Sequence, residues 1–285
     1  MNGIHLDLLN AQIRYVDHGT YRTRIVEAGK GPVLVMMHGG GGHAEAFSRN
    51  VERLSQHFHV IIPDFIWHGL SSCTKFNEGN WCQQFTDQIL SLLDAMGIQK
   101  AHFEGESLGG WIAMDIALRF PERADKIILN TAWGMDMGTE RNGEMAGLRE
   151  SSINALRNPN RETIAKRMEW LMPLGGTTDE IIDVRLALWS RPTTRDALIE
   201  YYEHLFAPEC TNYLFRAPDM QKMKAPALML WTEKNPISGP DTAYAMADAF
   251  PTSEVHIVKD AAHWPQWERP EEHDRVVIDF LTRKH

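Results

Sequence analysis

The sequence predicts an α/β fold: a mostly parallel eight-stranded sheet with helices on both faces and an inserted helical cap. Three observations predict it. Apolar, strand-length runs alternate with helical patterns over residues 33–130 and again over 227–284, the rhythm of a parallel sheet wrapped by helices. The motif Gly105-Glu106-Ser107-Leu108-Gly109 lies where an apolar run turns into a helical pattern. Between residues 138 and 222 the strand signal stops and only helical patterns, broken by Pro and Gly, remain.

Taken in order, residues 11–28 read as a hairpin, with Ile13, Tyr15 and Val16 before the turn His18-Gly19-Thr20 and Ile25 and Val26 after it. Val33–Met37 is a continuous apolar run, as expected of a strand covered on both faces. It ends in His38-Gly39-Gly40-Gly41-Gly42. Four glycines carry a large entropic cost. They read as a plain loop or as a loop whose backbone N–H groups can approach a reacting carbonyl; the serine motif downstream favours the second. No Lys-Ser or Lys-Thr follows, which disfavours a phosphate loop. A helix at 44–56, a strand at 60–65, a helix at 82–96, the strand entering the serine motif, its helix, and a strand at 127–130 complete the first half. The helical stretch includes Met145, Ile164, Met168, Leu171, Trp189, Tyr201 and Tyr202. Strands at 227–231 and 255–258 and helices at 241–249 and 270–284 close the chain. The expected division is a core of 1–137 and 223–285 and a cap of 138–222, with an apolar seam between them suited to a partly apolar ligand.

Composition bounds the function. Of 285 residues, 43% are hydrophobic and 24% charged, and the formal net charge is −9, so neither nucleic acid nor a membrane is an expected partner. No apolar run reaches the ~18 residues of a membrane span. The N-terminus lacks the basic and apolar regions of a signal peptide, and the three cysteines have no metal-type spacing. A cytoplasmic protein with reduced thiols and no metal is the expectation.

Ser107 sits where a strand turns sharply into a helix, which strains its backbone and lifts its hydroxyl clear of the sheet. The start of the helix adds N–H groups and a positive dipole end, suited to an oxyanion. A serine hydroxyl needs a base. Among thirteen histidines, His263 follows the last strand, at the carboxyl end where sheet ligands bind. His38 reads as a brace for the glycine loop, and His102 and His256 as strand residues.

The order Ser107, a position after the seventh strand, then His263, with His-Gly-Gly-Gly upstream, resembles the α/β-hydrolase superfamily over nearly the whole chain. More narrowly, Gly105–Trp111 and His263-Trp264-Pro265-Gln266-Trp267-Glu268-Arg269-Pro270 are similar to the meta-cleavage-product hydrolases, which cut a carbon–carbon bond in 2-hydroxy-6-oxo-dienoates from aromatic-ring cleavage. The resemblance implies a small-molecule substrate and no cofactor, and is compatible with a homodimer. It implies that His263 moves a proton as the dienol becomes a ketone, that Ser107 or a water it activates attacks the distant ketone, and that N–H groups of Gly40 and Leu108 hold the oxyanion. Gly41, Glu106, Arg185 and Trp264 would contact substrate, with Arg185 on its carboxylate and Arg191 as a competitor. Two residues depart from the pattern. Glu106 stands where the family has Asn, and Asn235 where the superfamily has its acid. Either Asn235 serves as it stands, or it replaces an original Asp, or a carboxylate such as Asp136 or Glu233 takes the role. An ester or lactone hydrolase and a ligand-binding protein with impaired catalysis are the alternative functions.

Overall fold

The computed structural model describes residues 3–136 and 142–283, without the side chains of 142–145. The predicted start of the cap at 138, and the side chain of Met145, therefore lie outside the described residues.

In chain order, α1 (Ile4–Asp7) precedes the hairpin β1 (Gln12–His18) and β2 (Tyr21–Ala28), followed by β3 (Val33–Met37), α2 (Ser48–Leu54) and β4 (His59–Pro63). Then come α3 (Gln83–Ala95), β5 (Ala101–Glu106), α4 (Leu108–Arg119) and β6 (Ala124–Asn130). Five helices follow: α5 (Asn142–Arg157), α6 (Arg161–Leu171), α7 (Asp179–Trp189), α8 (Pro192–Leu205) and α9 (Ala217–Met220). The chain ends with β7 (Ala227–Thr232), α10 (Pro240–Asp248), β8 (Ser253–Val258), α11 (Pro265–Glu268) and α12 (Pro270–Thr282).

The eight strands form one sheet in the order β1-β2-β4-β3-β5-β6-β7-β8. β2 pairs antiparallel with both its neighbours, and every other pairing is parallel. All six residues of the central β5 are buried, as both faces of a parallel sheet require. Alternation along a strand sends Glu104 and Gly105 to opposite faces. Glu104 meets His273 of α12, whereas a Cβ on Gly105 would overlap the carbonyl of Gly109 in α4. Helices therefore cover both faces. The predicted helix at 44–56 is instead a short 3-10 turn, Ala44–Phe47, leading into α2. The short α1 and α11 give no periodic signal and went unpredicted.

The α5–α9 segment is inserted between β6 and β7 and packs on loops at the carboxyl ends of the strands. Trp189 Nε1 donates to Gly41 O (3.1 Å), Tyr202 Oη to Gly40 O (3.2 Å) and Trp267 Nε1 to Gly176 O (2.8 Å). His263 N donates to Leu171 O at 3.1 Å.

Candidate active site

Ser107 has φ 50° and ψ −110°, in the left-handed region that costs a non-glycine residue free energy. Surroundings fix that conformation. Ser107 N donates to Asn130 O (3.0 Å), and its carbonyl accepts from Gly110 N (2.9 Å) and Trp133 N (3.0 Å). The flanking glycines allow the close turn: a Cβ on Gly105 would overlap Gly109, and one on Gly109 would overlap the Met37 carbonyl in β3. Leu108, the first residue of α4, belongs to the turn whose N–H groups have no intrahelical acceptor. Ser107, Leu108, Gly39, Gly40, Gly42, His263 and Trp264 line one cavity beneath the inserted helices. Gly41 is not among the lining residues; its φ is 72°, and its space is filled by Trp189 and Tyr202.

His263 lies in the loop after β8, its position set from both sides. Its carbonyl accepts from Thr131 Oγ1 (2.9 Å), and the buried Glu268 carboxylate accepts from the backbone N–H groups of Ala262 and Trp264. Burial raises the Glu268 pKa against those bonds. The His263 Nδ1 is 2.9 Å from Asn235 Oδ1, so Asn235 occupies the expected acid position. The carboxylate that touches the ring is neither Asp136, which pairs with Arg216, nor Glu233, which pairs with Lys234 at the surface. It is Glu106, whose Oε1 is 3.0 Å from His263 Nε2 and whose Oε2 accepts from Gly39 N at 2.5 Å. His38 braces the glycine loop, with Nδ1 on Gly39 O (2.8 Å) and Nε2 accepting from Phe65 N (3.2 Å); burial holds its pKa well below the ordinary value. His102 is buried within β5, and His256 pairs with Glu272.

Two arginines of the inserted helices are buried; Arg167 is among the residues lining the cavity and Arg185 is not. Arg185 of α7 is 1% exposed, and its Nε and Nη2 have no hydrogen-bond partner. Its guanidinium lies 5.2 Å from the Trp189 ring and 5.6 Å from that of Trp264. Burial, then the nearby Arg167, lower its pKa to about 10, while Tyr202 and Glu106 pull the other way. Arg167 of α6 lines the cavity, donates from Nε to Ser152 Oγ (2.8 Å), and leaves Nη1 without a partner. Arg191 is exposed at the start of α8, which removes it as a competitor.

A family model for the alpha/beta hydrolase fold matches residues 32–270. The chain belongs to that family. The hydrolase is 26% identical over 278 residues to a 2-hydroxy-6-oxo-6-phenylhexa-2,4-dienoate hydrolase of Burkholderia cepacia, covering 92% of each chain. It is 29% identical over 279 residues to a 2-hydroxy-6-oxononadienedioate/2-hydroxy-6-oxononatrienedioate hydrolase of Klebsiella pneumoniae, covering 94% of each. Its fold matches the solved 2-hydroxy-6-oxo-6-phenylhexa-2,4-dienoate hydrolase of a Rhodococcus species with a TM-score of 0.85 at 23% identity, over 96% of this chain and 100% of that one.

Sequence reasoning missed three features of the hydrolase's site. Arg167 was legible: it falls on the same helical stripe as Ile164, Met168 and Leu171, where a charge is out of place. Tyr201 and Tyr202 read only as apolar residues, yet their hydroxyls reach the glycine loop beside Gly40. The Glu106–His263 contact joins residues far apart in sequence and carries no local signal.

Proposed function

We propose that this hydrolase cleaves a carbon–carbon bond in a 2-hydroxy-6-oxo-dienoate, the class named in its relatives. The observation that carries the reading is the pair of buried guanidinium groups, Arg167 and Arg185, with unpartnered N–H groups, the first of them lining the cavity of Ser107 and His263. An uncompensated buried cation costs several kcal/mol, so the pair calls for an anion. A substrate carboxylate supplies one, and guanidinium geometry suits it. A simple ester or lactone has no such group.

In this reading the cavity takes the dienoate with its carboxylate toward the arginines and Trp264 against its chain. The dienol becomes a ketone by proton transfer through His263. Ser107, or a water it positions, then attacks the distant ketone. The N–H groups of Gly40 and Leu108 hold the oxyanion, and His263 returns a proton as the carbon–carbon bond breaks. Residues 138–222 act as a cap domain on a core of 1–137 and 223–285; the bonds from Trp189 and Tyr202 to the glycine loop support that division. No described helix is long and apolar enough to cross a membrane, and this reading places the enzyme in the cytoplasm.

A substrate panel tests the reading. Coloured dienoates should be turned over far faster than nitrophenyl esters or lactones. Arg185→Gln and Arg167→Gln should each reduce dienoate turnover by at least about 30-fold, from the 2–5 kcal/mol cost of breaking a buried charge contact, and change ester turnover little. Equal losses on both substrate types would remove the arginines from carboxylate binding.

A further inference from the structure

We propose that Glu106 is the proton partner of His263: the two share one proton at rest, and Glu106 receives the enol proton when the substrate becomes a ketone. The substrate in this step rests on the dienoate reading above; the pair itself rests on geometry.

Hydrogen-bond roles fix the histidine. Asn235 Oδ1 accepts from Ile237 N–H at 3.2 Å, so the amide oxygen, not the NH2, faces His263 at 2.9 Å. Nδ1 therefore carries a hydrogen. On the other side of the ring, Nε2 and Glu106 Oε1 are 3.0 Å apart. A carboxylate oxygen and a bare ring nitrogen repel at that distance, whereas a protonated ring makes the contact an ion pair. Glu106 Oε2 already accepts the Gly39 N–H, so Oε1 is the oxygen turned to the ring. In the proposed resting state the pair is a carboxylate and an imidazolium; its side chains are only 2% and 4% exposed. The other titratable groups facing it are Tyr201, toward Glu106, and Glu268, toward His263.

This arrangement makes the resting histidine an acid. Among the described residues no hydrogen bond joins Ser107 to His263, whose Nε2 lies 3.0 Å from Glu106 Oε1. Conversion of a dienol to its ketone needs an acid at carbon and a base at oxygen. His263 gives its Nε2 proton to carbon, forming one C–H bond. The enol O–H bond breaks and its proton passes to Glu106. His263 loses one proton and Glu106 gains one, so the pair again holds a single proton, and no co-reactant enters. The pair thus carries a proton from the enol oxygen to carbon and ends as it began. It also explains how an amide suffices at Asn235: the charge beside the imidazolium comes from the opposite edge of the ring.

Two measurements test this. The Ser107→Ala enzyme, which cannot cleave, should still ketonise a coloured 2-hydroxy-6-oxo-dienoate in stopped-flow absorbance. Adding Glu106→Gln, which keeps the shape and removes the base, should slow that phase at least about 100-fold; equal rates would overturn the proposal. Without substrate, ¹⁵N spectra at pH 7 should show both His263 ring nitrogens protonated in the natural enzyme and only one in Glu106→Gln. A neutral His263 in the natural enzyme would overturn the proposal as well. If the natural enzyme turns over no dienoate, the substrate reading falls, and the spectra alone decide the pair.

Discussion

At Asn235 the residue type and the catalytic role pull in different directions. In serine proteases, replacing the triad aspartate by asparagine costs about 10⁴ in rate, chiefly through the wrong tautomer. Here the amide oxygen is held by Ile237 N–H and the amide nitrogen by Ser238 Oγ at 3.4 Å, so the ring meets an acceptor at Nδ1 and the tautomer is correct. With Glu106 already beside Nε2, a second carboxylate adds little. Asn235→Asp should change kcat/KM for a dienoate by less than about tenfold. A gain approaching 10⁴ would mean that the histidine lacks a charge partner, contrary to the Glu106 contact.

At the scale of elements, the serine turn is anchored through the sheet to the last helix. His273 of α12 is fully buried between Glu104 of β5 (2.6 Å) and Asp274 (2.9 Å). Asn130 at the end of β6 donates to Glu104 (3.0 Å) and to Gln266 (3.1 Å), tying α11 to the same cluster. Burial opposes the His273 charge, but Glu104 and Asp274 outweigh it and raise the pKa to about 10. The folded value lies above the unfolded 6.5, so the folded state holds the proton more tightly. This contribution to stability is complete below about pH 6.5 and fades as pH rises through about 10. The urea midpoint should therefore fall between pH 6.5 and 10, and His273→Gln should flatten that slope. An unchanged slope in the variant would assign the pH dependence elsewhere.

Across the whole molecule, what the sequence made legible was whatever repeats locally. Continuous apolar strands, intervening helices and the Gly105–Gly109 turn carry their own periodicity or backbone demand, so the sheet, the inserted helices and the positions of Ser107, His263 and Asn235 could be read in advance. Helices of four residues such as α1 and α11 are too short for a period to show. The remainder depends on tertiary approach. Glu106 reads as a liability for an anionic substrate, and only the fold brings His263 and Gly39 to its two oxygens. Arg185 reads as a helix charge, and only packing against Trp189 and Trp264 buries it without a hydrogen-bond partner at Nε and Nη2. Which loops the inserted helices touch likewise emerges only in the fold.

The central claim is that Ser107 attacks, or activates the water that attacks, a dienoate in this cavity. The most direct measurement is steady-state cleavage of a coloured 2-hydroxy-6-oxo-dienoate by the natural enzyme and by Ser107→Ala, with both cleavage products identified. The account predicts cleavage by the natural enzyme and a loss of several orders of magnitude in the variant, on the scale of the ~10⁶ seen when subtilisin loses its nucleophile, with the fold intact by circular dichroism. Undiminished cleavage by a folded, uncontaminated Ser107→Ala enzyme would contradict it.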